Sequence, residues 1–324
     1  MAEPIESIPD VPALLRSLES AGYLTEEGLG TALFLAARMG QPILLEGEPG
    51  VGKTEAAKAL AAALDTPLIR LQCYEGLTSA EALYEWNYPR QLLAIRLAEA
   101  SGAKLSEADL FTDEFLLERP LLAALSHPGP RPAVLLIDEV DRGDDEFEAF
   151  LFELLAEAAV TIPELGTRRA KLPPVVVLTS NRTRDLHDAL KRRCLYHWIE
   201  FPDTDRVAAI IRRRVPGVSV GLADQVASAV GRLRGMELAK PPGVAEAISW
   251  ASALRVLGAD RLDEVSARRT AGAVLKYAED LRIVCETGFG VGSGDAGDPA
   301  ANGSTAGSPE IADPAPAGRR DDGP

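Results

Sequence analysis

Five short apolar runs punctuate residues 43–201: Ile43–Leu45, PLIRLQC at 67–73, AVLLIDE at 133–139, VVVLTSN at 175–181 and HWIEF at 197–201. Each is too short for a buried helix, and helical spacing of apolar positions lies between most of them. Runs of this kind form parallel strands whose two faces are both covered, so the alternation of a half-exposed strand is lost. Five of them joined by helical crossovers predict an α/β fold, a three-layer sandwich around a five-stranded parallel sheet. Two helical stretches precede the first strand, the second within residues 24–40. After Pro202 the strand pattern stops, and residues 204–286 carry helical spacing throughout, which predicts a small all-α domain. From about Gly288 onward the chain turns to Gly, Ala, Pro, Ser and Asp. Such a segment has too little apolar surface to offset its ordering entropy, so 287–324 is expected to be a disordered tail. The division is therefore a core at 1–203 with an insertion at about 74–132, a helical lid at 204–286, and the tail. No internal repeat is found.

Charge changes the picture by exclusion. The net charge is −15 and the sequence pI about 4.8. An acidic surface repels phosphate backbones, so no nucleic-acid partner is expected. The N-terminal MAEPIESIPD has neither the basic nor the apolar region of a signal peptide. No run approaches the roughly 20 apolar residues of a membrane span. Cys73, Cys194 and Cys285 are widely separated, and His127, His187 and His197 do not have metal-ligand spacing. A reducing, cytoplasmic setting is expected.

The chemistry begins at Gly47-Glu48-Pro49-Gly50-Val51-Gly52-Lys53-Thr54, a full G-x-x-x-x-G-K-[ST] motif between an apolar strand and an Ala-rich helical run that opens Lys53-Thr54-Glu55. Glycines let successive backbone N–H groups turn inward as a concave nest for anionic oxygens, and the helix start adds its positive dipole end. Lys53 is the candidate for the β- and γ-phosphates, and Thr54 for a Mg²⁺ ligand, which names ATP and Mg²⁺ as the cofactors. The strand at 133–139 ends in two carboxylates. Asp138 suits Mg²⁺ held through water, and Glu139 suits a base that polarises the attacking water; a strand that merely ends in solvated acids is the bland alternative. Asn181 ends the strand at 175–181, where its amide can donate to a γ-phosphate and accept from water, or simply make a turn. Arg192 and Arg193 precede the last strand. A guanidinium reaching in from a neighbouring subunit would stabilise charge on the transferring phosphoryl group, while a solvated basic helix end is the alternative.

Together these residues resemble the MoxR family of AAA+ ATPases. GEPGVGKT is similar to the Walker A motif, LLIDEVDR to Walker B, LTSN to the sensor 1 strand and ALKRRC to the arginine-finger segment, with Arg193 the better match. YEGLTSAEALYEWNYPRQLLAIR and KPPGVAEAISWASAL resemble a narrower, CoxD-like branch encoded beside carbon monoxide dehydrogenase and related molybdenum hydroxylases. The resemblance spans roughly residues 15–285. It implies a P-loop NTPase core with a lid, a homo-hexameric ring with sites between subunits, a partner with a von Willebrand factor A domain, and a metalloenzyme client. The sequence departs from the family where a sensor 2 arginine should open a lid helix. Lys240-Pro-Pro-Gly-Val-Ala-Glu has none there, and Lys240, slightly upstream, is the available substitute.

Tyr74, Tyr84, Trp86 and Tyr88 put four of the 17 aromatic residues into one short stretch of the insertion. They would either grip a polypeptide from a ring's pore side or pack beneath the insertion's helices. The function expected is an ATP-hydrolysing chaperone that matures a metal-cofactor enzyme. A nucleotide-gated scaffold with slow hydrolysis, and a DNA-remodelling ATPase, are the competing classes.

Overall fold

The structure is a computed structural model in which residues 8–291 are described. The strands are β1 (Ile43–Gly47), β2 (Leu68–Gln72), β3 (Tyr84–Trp86), β4 (Leu116–Glu118), β5 (Val134–Asp138), β6 (Ala159–Ile162), β7 (Gly166–Arg169), β8 (Val175–Ser180) and β9 (Leu195–Ile199). Five of them form one parallel sheet in the order β2-β5-β8-β1-β9. Every residue of β5, β8 and β1 is buried, which is why these three read as unbroken apolar runs. The edge strands alternate instead. In β9, Tyr196 and Trp198 face outward, and the strand starts at Leu195 and ends at Ile199, two residues earlier than the run at 197–201 suggests.

Helices α1 (Val11–Ser20), α2 (Glu27–Met39) and α3 (Lys53–Ala63) cover one face of the sheet. Leu14, Leu18, Leu33 and Leu60 pack there on Ile43, Leu45 and Leu136. The other face is covered by the insertion and by α8 (Asp145–Glu157). The insertion holds α4 (Ser79–Leu83), α5 (Tyr88–Ser101), α6 (Glu107–Leu110) and α7 (Pro120–Leu125), with β3 and β4 paired antiparallel. Of its aromatics, Trp86 is buried, edge-on to Phe111 (5.0 Å between centroids) and Tyr84 (6.0 Å). Packing, not grip, is therefore the role of that pair, while Tyr74 and Tyr88 are exposed. The β6–β7 hairpin follows α8, and the short α9 (Asp188–Lys191) leads into β9.

Five further helices follow: α10 (Thr204–Arg214), α11 (Val220–Arg234), α12 (Val244–Val256), α13 (Glu264–Val274) and α14 (Ala278–Thr287). They enclose a core of their own centred on Trp250, whose Nε1–H donates to Thr270 Oγ1 at 2.7 Å. Phe289 lies against Trp250, 5.7 Å between ring centroids, and is buried. The lid packing thus runs past residue 287, where the tail was expected to begin, because one large apolar side chain still finds the core. The rest of that expected tail, 292–324, lies outside the described residues. Among the described residues no helix is long and apolar enough to cross a membrane, and no group of three or more His, Cys, Asp and Glu side chains could hold a metal ion.

Candidate active site

Adjacent strands β1, β5 and β8 deliver their carboxyl ends to one place, where ligands of open α/β sheets bind. From β1 the chain enters the Gly47–Thr54 loop. Gly50 (φ +83°) and Gly52 (φ +99°) hold left-handed backbone that a Cβ would oppose, and Gly52 passes directly into α3, whose first turn has no side-chain cap. Lys53 is buried and bridges the loop, its Nζ donating to the carbonyls of Gly47 (2.7 Å) and Glu48 (2.8 Å). Burial lowers the Lys53 pKa, against the opposing pull of Asp141, Asp138, Glu139 and Glu46.

Asp138, the last residue of β5, is 3% exposed and takes donors from three sides. Thr54 Oγ1 donates to Oδ1 and Oδ2 (3.1 and 3.2 Å), Thr179 Oγ1 to Oδ1 (2.5 Å), and Arg70 Nη2 and Nε to Oδ2 (2.6 and 3.0 Å). A hydroxyl and a carboxylate side by side form the hard-oxygen pair that Mg²⁺ takes, and the Arg70 guanidinium marks the spot as one that favours a cation. Glu139 turns into left-handed backbone (φ 55°), fixed by its own N–H on Thr179 Oγ1 at 2.9 Å. For a side chain with a Cβ this conformation costs roughly 1–2 kcal/mol, and here it aims the carboxylate back across the strand ends. That carboxylate meets Gln72 Nε2 (3.1 Å), Arg142 Nε (2.9 Å) and Asn181 Nδ2 (3.3 Å). Asp141, buried, holds the β8 exit by accepting from the N–H groups of Asn181 and Thr183 and from Thr183 Oγ1.

A cleft of about 660 Å³ opens over these groups, floored by Lys53, Thr54, Asp138, Glu139 and Asn181, with Pro49, Gly50, Val51, Gly52 and Glu55 along its edge. Its other wall is mixed: Tyr23 and Leu24 before α2, His197 on β9, and Val244 and Ile248 on α12 give apolar or ring surface, with Glu26, Arg206 and Arg214 among them. The volume and mixed lining suit a nucleotide-sized ligand. Burial lowers the His197 pKa, while Glu26 pulls it upward.

Of the residues singled out in the sequence, the loop, Asp138, Glu139 and Asn181 come together. Arg192 and Arg193 do not join them. The Arg193 guanidinium lies 3.9 Å from the centroid of the Phe152 ring on α8, and neither arginine lines the cleft. Lys240 does not reach it either; the segment there is tied through its backbone, Ala239 and Lys240 N–H donating to buried Asp280. The sequence reading missed Arg70, Gln72 and Thr179. A polar pair two residues apart in an otherwise apolar edge strand was the available signal for the first two.

With this geometry in view, comparison with known proteins is specific over the core. Residues 42–194 match the AAA domain (dynein-related subfamily). The matched segment opens at the residue before β1 and closes after the Arg192-Arg193 pair. Among solved structures, Thermotoga maritima RuvB, described as a Holliday junction branch migration motor, is similar over 80% of this chain and 72% of its own, at 20% identity and a TM-score of 0.47. A variant of the same protein is similar over 84% of this chain and 73% of its own, at 18% identity and a TM-score of 0.45. No curated protein matches the chain.

Proposed function

We propose that the AAA domain binds and hydrolyses ATP in a homo-hexameric ring, and that the chain spends that energy remodelling a protein partner. The observation that carries this reading is the convergence of Lys53, Thr54, Asp138, Glu139 and Asn181 on one cleft floor beside a glycine loop. In it, Lys53 exchanges the carbonyls of Gly47 and Glu48 for the β- and γ-phosphate oxygens. Thr54 and Asp138 would hold the metal, with Arg70 giving way at Asp138 Oδ2. Magnesium, when bound, supplies charge neutralisation on the phosphate oxygens. Glu139 orients water and takes its proton, and Asn181 steadies water and phosphate through its amide. Arg193, turned from its own cleft, would leave its stack on Phe152 to serve the neighbouring one as an arginine finger.

The resemblance to MoxR proteins carries the finer proposal: a partner with a von Willebrand factor A domain and a client of the molybdenum hydroxylase or carbon monoxide dehydrogenase type. A slowly cycling scaffold is the second reading, favoured by the three donors that hold the Glu139 carboxylate. The acidic charge disfavours a DNA-remodelling role. The test is Glu139→Gln. It should bind ATP with near wild-type affinity while hydrolysis falls about 100-fold or more, measured as phosphate release. Undiminished hydrolysis would remove Glu139 from the role of base, and wild-type protein that takes up no ATP with magnesium would end the whole reading.

A further inference from the structure

The lid touches the phosphate loop by main chain alone at one point. Val244 N–H donates to the carbonyl of Gly50 at 3.0 Å. The approach is close because one partner is a glycine and the other follows one: a Cβ on Gly243 would stand 2.9 Å from Gly50 Cα and 3.1 Å from Gly50 O. Gly243 itself has φ −92° and ψ −173°, which any residue can adopt. Its lack of a side chain therefore serves the approach and not the local backbone. Two struts hold the segment in place. At its start, Asp280 takes the N–H groups of Ala239 and Lys240. At its end, Arg234 stacks on Phe201 (3.9 Å to the centroid), donates to Pro242 O at 3.0 Å and pairs with Glu48 inside the loop.

The consequence follows from peptide geometry. The Gly50–Val51 peptide is trans, so its C=O and N–H point in opposite directions. With the carbonyl held by Val244, the Val51 N–H points away from that hydrogen bond, and Val51 itself lines the cleft. An anion accepting from that N–H polarises the same peptide and strengthens the bond its carbonyl receives. We infer that the Gly50–Val244 hydrogen bond, admitted by Gly243, couples lid position to phosphate occupancy in this chain, in place of a lid side chain reaching the phosphates. Gly243 and Arg234 are positioning residues in this device, and its working rests on nucleotide binding at the loop as proposed above.

The experiment compares full-length wild type with Gly243→Ala, using Gly272→Ala as control, since a Cβ at Gly272 meets nothing within 4 Å. Two quantities are read: affinity for ADP with magnesium, and hydrogen–deuterium exchange of the peptide covering residues 239–246 with and without ADP. Wild type and the control should show nucleotide-dependent slowing of exchange at Val244. Gly243→Ala should lose that slowing and bind ADP about tenfold more weakly, the worth of one well-made hydrogen bond. A purely structural role for Gly243 would shift exchange equally with and without nucleotide, which overturns the coupling. Unchanged affinity and intact slowing in Gly243→Ala overturn it as well. Should that variant not fold, Arg234→Met must show the same loss in weaker form, and an unaltered response there also defeats the inference. Wild-type protein that fails to bind ADP defeats the nucleotide reading itself, an outcome separate from a variant that behaves like wild type.

Discussion

Helix α11 of the lid and helix α5 of the insertion are close in length, 15 and 14 residues, yet α11 buries seven side chains and α5 one. The apolar content does not explain this; its placement does. In α11, Leu222, Val226, Val230 and Leu233 repeat at helical spacing, with Ala223, Ala227 and Ala229 letting neighbouring helices approach. In α5 the side toward the body carries Gln91, bonded to the Leu110 carbonyl at 2.6 Å, and Ala94, while Leu92, Leu93 and Leu97 face out. Two attachments on one sheet thus differ in kind. The lid closes over a core of its own and meets the phosphate loop and the start of α3 through a few contacts: Val244 to Gly50, Arg234 to Glu48, and Arg214 to Glu55. The insertion follows directly on β2, whose Arg70 and Gln72 hold the two carboxylates at the end of β5. The lid addresses the phosphate end of the cleft, while the metal and water end is held by β2, the strand after which the insertion begins.

The largest effect that tests this contrast is on stability. Trp250→Ala removes a fully buried ring and the indole donor to Thr270 Oγ1, so it should cost about 3–5 kcal/mol in chemical denaturation. Leu97→Ala, on the outward face of α5, should change stability by less than about 0.5 kcal/mol. Comparable losses from the two would mean that α5 is packed after all, and the distinction would fall.

The next effect tests the β2 end of the site. Arg70 neutralises Asp138 where a metal would bind, but it is half exposed, so solvent screens much of the pairing. Arg70→Met should strengthen the pull of Asp138 on a cation by about 1 kcal/mol, shifting the magnesium dependence of hydrolysis roughly fivefold toward lower concentration. A magnesium requirement that stays put, or rises, would show that Arg70 does not compete there.

Legibility in the sequence followed the same division. The interior strands β1, β5 and β8 were readable because burial on both faces leaves apolar runs, and Asp138 at the end of β5 and Asn181 just past β8 stood out against them. The edge strand β9 was displaced by two residues because Tyr196 and Trp198 alternate outward and blur its start. The β3–β4 and β6–β7 pairs went unread, being three- and four-residue strands with exposed, polar positions. The lid contact could not be read from side chains at all. Attention fell on Lys240 because it carries a charge, whereas the group that meets the loop is the N–H of Val244, and the feature that admits it is the missing Cβ of Gly243. Arg70 and Gln72 were visible as polar residues, but nothing local named Asp138 and Glu139 as their partners across the sheet.

The smallest effect concerns His197, the histidine on the cleft wall. Desolvation lowers its pKa, with Glu26 opposing. The folded protein therefore binds fewer protons than the unfolded chain in the interval below about 6.5, the ordinary histidine value, down to the lowered folded value. Because the unfolded state takes up more protons there, stability rises with pH across that window and falls on acidification, and above it the contribution vanishes. His197→Phe removes the titration and should flatten this part of the profile: the drop in Tm between pH 7.5 and pH 5.5 should be smaller in the variant than in wild type. The same substitution leaves the glycine loop and both carboxylates in place, so ADP affinity at pH 7.5 should be close to that of wild type. A wild-type Tm that falls no further than the variant's over that range would mean that the ring is solvated in the free protein, and that the β9 side of the cleft is wetter than the burial of its neighbours suggests.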